Sequence, residues 1–203
     1  MNSNKKQHWE TVYETKTPEQ VSWTQEVPKT SLNFINSFQL PKQASIIDIG
    51  GGDSYLVDFL LKEGYTNITV LDISEKALQR AKERLGIKAK MITWIVSDII
   101  DFIPEITYDI WHDRAAFHFL TAKDQIANYI CLTEKSVINH LIIGTFSNNG
   151  PLKCSGLEIA QYSDHKMSET FNTSFQKIKC VEETHHTPFN TTQEFIFCSF
   201  KKR

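Results

Sequence analysis

The stretch Ile46-Ile47-Asp48-Ile49-Gly50-Gly51-Gly52-Asp53-Ser54 constrains this chain more than any other. A short β-branched run that ends in three glycines and enters a helix-like pattern is how backbone N–H groups are presented to a nucleotide-type ligand. The neighbouring acids narrow the ligand. Asp48 lies two residues before the first glycine and Asp53 directly follows the last, so the positive end of the coming helix is already met by carboxylate. That placement disfavours a pyrophosphate and favours a cation. A further acid, Asp72, ends Thr69-Val70-Leu71, about 20 residues on, where a carboxylate at the tip of a second strand accepts ribose hydroxyls. Tyr55 stands where the dinucleotide fingerprint has its third glycine, and its bulk opposes the close helix–strand packing that glycine permits. The amino and sulfonium groups of S-adenosylmethionine answer this description better than a nicotinamide dinucleotide does.

The 203 residues fit one domain with a sizeable core. A net charge of −2 offers no general attraction to a phosphate backbone, so nucleic acid is not expected as a partner. No apolar run approaches the roughly 18 residues that span a bilayer, so no membrane partner is expected. The polar start lacks the apolar segment of a secretory signal, and the expected location is cytoplasmic. In that compartment Cys131, Cys154, Cys180 and Cys198 are expected as thiols, with Cys180 and Cys198 packed in late strands. No ligand grid surrounds His185-His186 or His165, and no metal is expected.

Residues 1–30 are polar but hold His8, Trp9, Tyr13 and Trp23. Aromatics in a polar leader imply a segment that folds over something, either the domain exterior or a ligand cleft. From residue 31 to 203 the pattern alternates. Helical spacing over Leu32–Phe38, Tyr55–Leu61, Ser74–Leu85, Ala122–Lys135 and Ser163–Phe171 separates strand-like runs at Ser45–Ile49, Ile68–Leu71, Met91–Val96, Tyr108–His112 and Val137–Thr145. The last two runs, Phe175–Val181 and Glu194–Phe200, have no helix-sized link and are expected to pair antiparallel. The expected fold class is α/β: a Rossmann-like, mostly parallel seven-stranded sheet with helices on both faces and a C-terminal antiparallel strand pair.

The chain resembles the class I S-adenosylmethionine-dependent methyltransferases from about residue 32 onward. Asp48-Ile49-Gly50-Gly51-Gly52 is similar to that family's first motif, Leu71-Asp72-Ile73-Ser74 to its second, and Val96-Ser97-Asp98-Ile99 to the stretch that frames adenine. The resemblance implies that Gly50, Gly51 and Gly52 approach the methionine part of the cofactor, with Asp48 beside them. It implies that Asp72 holds the ribose, Asp98 bonds the adenine amino group, and Ile73 and Ile99 sandwich the ring, with Ser74 a further cofactor-binding candidate. The segment from Tyr108 to Leu120 is similar to the region after the fourth strand in a subgroup that includes lysine methyltransferases of the citrate-synthase-modifying kind. In that subgroup residues like Trp9 and Tyr13 cover the cofactor. Ala115-Ala116 replaces the subgroup's Gly-Thr, and His118 stands where it has Asp.

Methyl transfer from a sulfonium is an in-line displacement, so a protein must chiefly position the acceptor and exclude water. A base is needed only for a protonated acceptor. Asp113, Arg114 and His118 lie just beyond the fourth strand, at the carboxyl edge where such sheets bind ligands. Asp113 and His118 are therefore the catalytic candidates, and Asp113 and Arg114 also cofactor contacts. The alternative is an Asp113–Arg114 ion pair with a packed His118. Trp23, His118 and Cys154 are the candidates for the wall facing the acceptor. The expected activity is methyl transfer to a small molecule or an exposed protein side chain, yielding S-adenosylhomocysteine; the alternative is a non-catalytic sensor of the same cofactor.

Overall fold

A computed structural model describes residues 3–203; the first two residues of the 1–30 leader lie outside the described residues. The leader contains a helix the aromatic pattern did not announce, α1 (Ser3–Thr15). It has no proline or glycine before Pro18, so nothing interrupts the helical ladder. A second helix, α2 (Lys29–Ser37), starts directly after Pro28.

The glycine-bearing unit is β1 (Ser45–Ile49), a turn, and α3 (Leu56–Lys62). Next come β2 (Asn67–Asp72), α4 (Glu75–Leu85), β3 (Ile92–Val96), β4 (Tyr108–Arg114), α5 (Lys123–Ser136) and β5 (Val137–Phe146). Two short strands, β6 (Lys153–Cys154) and β7 (Leu157–Glu158), form a small hairpin ahead of α6 (Asp164–Phe171). The chain ends in β8 (Phe175–His186) and β9 (Thr192–Lys202). The seven-stranded sheet runs β3-β2-β1-β4-β5-β9-β8. Its first five strands are mutually parallel; β9 is antiparallel to β5, and β8 to β9. Fold class and strand pairing agree with the sequence reading.

The pleat divides the core in two. Ile46, Ile110, Ile142 and Phe197 face α2 and α3, while Ile47, Trp111, Ile143 and Cys198 face α5 and α6. Both layers are dry, so each such aliphatic side chain contributes roughly 1.5–3 kcal/mol relative to exposure. The same alternation sorts the polar residues of β1 and β4 to opposite faces, which governs the site.

One expectation is corrected. Cys180 and Cys198 are not separate thiols but a disulfide. They are direct partners in the β8–β9 register, with Cα atoms 4.1 Å apart, a juxtaposition that spacing in sequence does not reveal. β8 also runs beyond the expected Val181 to His186, so His185 and His186 lie on that strand. No helix among the described residues is long and apolar enough to cross a membrane.

Candidate active site

The site is built at the carboxyl ends of β1, β2, β3 and β4. Gly50 and Gly52 adopt left-handed φ angles of +64° and +49°. A Cβ on Gly50 would lie 2.7 Å from that of Ala116, and one on Gly52 would lie 2.8 Å from Tyr13 Oη and 3.2 Å from Asp72 Oδ2. A Cβ on Gly51 would fall 2.7 Å from Asp48 Oδ2. Three side-chain-free positions thus open a cradle of bare backbone between the first and fourth strands. Next to Ala116 the chain tolerates Ala115 at φ +66°, a left-handed conformation that costs a non-glycine residue roughly 1–2 kcal/mol.

Carboxylates surround this cradle. Asp72 is buried, and its Oδ1 accepts the Ser74 N–H at 2.8 Å. Burial pushes its carboxyl up to about 7, and the charges of Asp53 and Asp48 add to the shift. Asp53 is raised too, chiefly by burial, although Arg80 stands 3.5 Å away. At the end of β3, Asp98 Oδ1 accepts Ile100 N–H at 3.3 Å, while its buried Oδ2 has no partner. Dry acids that resist ionisation, with one orphaned oxygen, fit a ligand bringing a positive charge, a diol and an exocyclic amine. S-adenosylmethionine offers all three.

Asp48 belongs to a buried chain. Its Oδ1 is 2.7 Å from His112 Nδ1, and His112 Nε2 is 2.8 Å from Ser31 Oγ in the first turn of α2. The register makes Asp48 and His112 direct neighbours on adjacent parallel strands, so their side chains leave the sheet on the same face. His112 and Ser31 escaped the sequence reading, which sought polar groups beyond β4 and not within it. The usable signal was that Asp48 and His112 hold equivalent places near the ends of neighbouring strands.

The leader closes over this edge. Trp9 packs against Trp23 at 5.6 Å and Phe119 at 5.3 Å between ring centroids, and Tyr13 lies 6.3 Å from Trp23. Glu10 of α1 caps α4: Oε1 accepts Glu75 N–H at 2.9 Å, and Oε2 accepts Ser74 Oγ–H at 2.9 Å and Lys76 N–H at 3.1 Å. A carboxylate there satisfies donors that have no partner within the helix and meets the positive end of its dipole. Ser74 Oγ in turn accepts Ala77 N–H at 3.1 Å.

The cleft brings together most of the expected residues. Asp48, Gly50, Gly51, Asp72 and Ile73 line it from the cradle side, with Asp98 and Ile99 beyond them. Trp9, Tyr13 and Trp23 line it from the leader, with Arg114 and Cys154. Gly52 and Ser74 stand one layer back, the first between Tyr13 and Asp72, the second between Glu10 and Asp72. Cys154 is buried and its thiol is pushed up to about 12, so it is not a thiolate nucleophile at neutral pH.

Asp113 and His118 are not brought to the wall of the cleft. Asp113 points to the α5 side, opposite to Arg114, as successive residues of a strand must. Its fully buried carboxylate accepts Ala116 N–H at 3.1 Å, Phe117 N–H at 2.9 Å and Tyr129 O–H at 2.7 Å. Burial carries it up to about 6 despite these bonds. It ties down the turn after β4 and makes no ion pair with Arg114. His118 is fully buried in a short 3₁₀ turn, stacked on Phe146 at 4.8 Å, and neither ring nitrogen has a partner. Burial, aided by Arg114, lowers it to about 3, so it stays neutral. His185 Nε2 donates to the Ser22 carbonyl oxygen at 2.7 Å.

A glycine cradle and a ribose-position acid on a sheet of this order define a methyltransferase fold of class I. Comparison with known proteins agrees. Residues 47–130 match the family model described as "Methyltransferase domain". The malonyl-[acyl-carrier protein] O-methyltransferase 1 of Ilyobacter polytropus is 30% identical over 90 residues, 44% of this chain and 33% of that protein. The EEF1A lysine methyltransferase 2 of Mus musculus is 32% identical over 82 residues, 36% of this chain and 34% of that protein. The matched part thus spans about a third of the length of these curated relatives. A crystal structure of an S-adenosylmethionine-dependent methyltransferase from Anabaena variabilis superimposes with a TM-score of 0.77 at 14% identity, covering 100% of this chain and 96% of that one. The chain has the fold of the class I S-adenosylmethionine-dependent methyltransferases, and residues 47–130 carry the match to a methyltransferase domain.

Proposed function

We propose that this protein transfers the methyl group of S-adenosylmethionine to an acceptor held beneath the leader, a small molecule or an exposed protein side chain. The carrying observation is the dry, acid-lined glycine cradle with its orphaned Asp98 Oδ2. When bound, the cofactor supplies an electrophilic methyl on a sulfonium. Gly50 and Gly51 give it close backbone approach, Asp48 faces its ammonium, and Asp72 takes the ribose hydroxyls. Asp98 accepts the adenine amino group between Ile73 and Ile99. Ser74 and Gly52 fix Asp72, and Asp113 fixes the turn that carries Ala115 and Ala116. Trp9 and Tyr13 of the 1–30 leader exclude water, which favours displacement by the acceptor over hydrolysis. The relatives named above are a methyltransferase of malonyl-acyl-carrier protein and one of an EEF1A lysine, and both acceptor kinds fall within this reading. The net charge of −2 supports an acceptor other than nucleic acid.

The test is calorimetry with S-adenosylhomocysteine followed by incubation of methyl-labelled cofactor with fractionated metabolite and protein pools. Binding that tracks Asp72 and label appearing in one pool are the expected outcomes. A protein that binds no S-adenosylhomocysteine refutes the proposal.

A further inference from the structure

The hydrogen-bonded chain from Ser31 through His112 to Asp48 crosses three elements and ends in the glycine cradle. Ser31 belongs to α2, His112 to β4 and Asp48 to β1, and all three line the cleft. His112 Nδ1 is 2.7 Å from Asp48 Oδ1, and His112 Nε2 is 2.8 Å from Ser31 Oγ. The side chains of His112 and Asp48 are only 3% and 5% exposed. Among the described residues no lysine or arginine forms an ion pair with Asp48 within 4.0 Å, and Arg114 acts on it from farther away. The second carboxylate oxygen, Oδ2, lies beside Gly51, where a Cβ would come within 2.7 Å of it.

A neutral ring satisfies both ends of this chain: Nδ1–H donates to the carboxylate, and Nε2 accepts the Ser31 hydroxyl. The acid is thereby held by dipoles in a dry site, and its negative charge is left for a ligand. An aspartate free to turn about its side-chain bonds loses that freedom on binding, whereas one already fixed does not. The register supplies the direction. Pairing with His112 occupies the β4 side of the carboxylate and leaves Oδ2 on the glycine turn. The Asp48 charge also acts on Asp72, so the two acids border one space. With Asp72 at the ribose, the group that reaches Asp48 is carried on the 5′ chain of the sugar, and in S-adenosylmethionine that chain bears an ammonium.

We infer that His112 and Ser31 are positioning residues for the cofactor: they set Asp48 Oδ2 to accept the ammonium of its methionine part. The inference rests on the methyltransferase reading and deepens it. His112 acts through Asp48 and does not touch the reacting atoms, so its effect is read in the binding of one chemical group. Ser31 carries the same dependence into α2, and one line of hydrogen bonds then fixes both that helix and the acid of the cradle.

The experiment is calorimetry on the full chain with two probes, S-adenosylhomocysteine and its analogue in which hydrogen replaces the amino group. The native chain is expected to bind S-adenosylhomocysteine roughly tenfold or more tightly than the analogue, the scale of a hydrogen bond to a charged group. His112→Phe keeps a ring and deletes both bonds; it should weaken S-adenosylhomocysteine by roughly tenfold and change the analogue by no more than about twofold. Ser31→Ala should weaken S-adenosylhomocysteine by about threefold, and His112→Asn, whose amide still donates to Asp48, should stay within about threefold of the native chain. Equal binding of the two probes by the native chain, equal losses for both in His112→Phe, or no loss for either would each overturn the inference, since a purely structural role moves both probes together. Should His112→Phe not fold, the imidazole nitrogen spectrum of the native chain decides: the His112 Nδ1 signal must shift with S-adenosylhomocysteine and move less with the analogue. A native chain that binds neither probe defeats the methyltransferase reading instead, so the two failures are distinguishable.

Discussion

Replacing Asp72 by Asn should make the cofactor-free protein more stable at high pH while weakening the cofactor. The Asp72 carboxyl is carried from 3.8 to about 7 by burial beside Asp53 and Asp48. Below pH 4 it is protonated in both folded and unfolded chains and costs nothing. Between about pH 4 and 7 the unfolded chain releases the proton and the folded chain keeps it, so stability falls as pH rises; above 7 the loss is complete. Linkage sets its upper size at about 4 kcal/mol. Asn carries no such loss. Its amide oxygen still accepts the Ser74 N–H, while its NH₂ faces the Gly52 N–H, a penalty of roughly 1–3 kcal/mol that does not vary with pH. Urea unfolding of both proteins without cofactor, from pH 5 to 8, should therefore show the variant gaining on the native chain by roughly 3 kcal/mol across the series. Asp113, which is also raised, titrates in both proteins and cancels in the difference. Calorimetry at pH 8 should show S-adenosylhomocysteine bound roughly 10- to 100-fold more weakly, the scale of lost hydrogen bonds to a charged group. A stability gap that stays constant with pH would refute the reasoning.

Gly52→Ala meets both a left-handed φ and the Tyr13 hydroxyl, and should cost roughly 1–2 kcal/mol and weaken cofactor binding; adding Tyr13→Phe should restore part of the binding, as measured by calorimetry. Tyr129→Phe removes the donor to Asp113 and should lower stability by roughly 1–3 kcal/mol, more at pH 8 than at pH 5 because the unsupported carboxyl rises further. His118→Phe should leave turnover within twofold and raise stability by about 1 kcal/mol, since it deletes two orphaned nitrogens. Its folded value of about 3 lies below the ordinary 6.5, so the native chain loses stability as pH falls from about 6.5 toward 3, and the variant should escape that loss. A tenfold fall in turnover would reinstate His118 as a participant.

The sheet and the cradle were legible because their signals are local. β1, the glycines and Asp72 sit within one strand–helix–strand unit, and the β-branched runs mark strands without reference to the rest of the fold. The acceptor side was less legible because it depends on which way a strand faces. Asp113 and Arg114 are consecutive, and a loop would let both reach the cleft. β4 continues through Arg114, so the pleat sends one to each side. His112, already inside the expected strand, is turned inward beside Asp48 by the same alternation. The Cys180–Cys198 bond escaped notice for a like reason, since register across a hairpin is set by pairing and not by spacing. The leader was legible as aromatic but not as helical, because its hydrophobic positions serve a cleft as well as a core.

The cap that Glu10 places on α4 also bears on the order of assembly. Glu10 and Ser74 are far apart in sequence, |i−j| = 64, so a growing chain presents the leader long before its docking site exists. Contacts of such separation form late, after loop closure has been offset by the sheet. The leader is then the last piece to settle and the first to leave, a unit whose opening free energy lies below that of the whole domain. Amide exchange should find α1 and the first turn of α4 opening together, ahead of β1, β4 and β5. The route into the cleft would then be a local unfolding event, and its frequency would be set at a helix terminus some distance along the chain from the aromatic residues that do the covering.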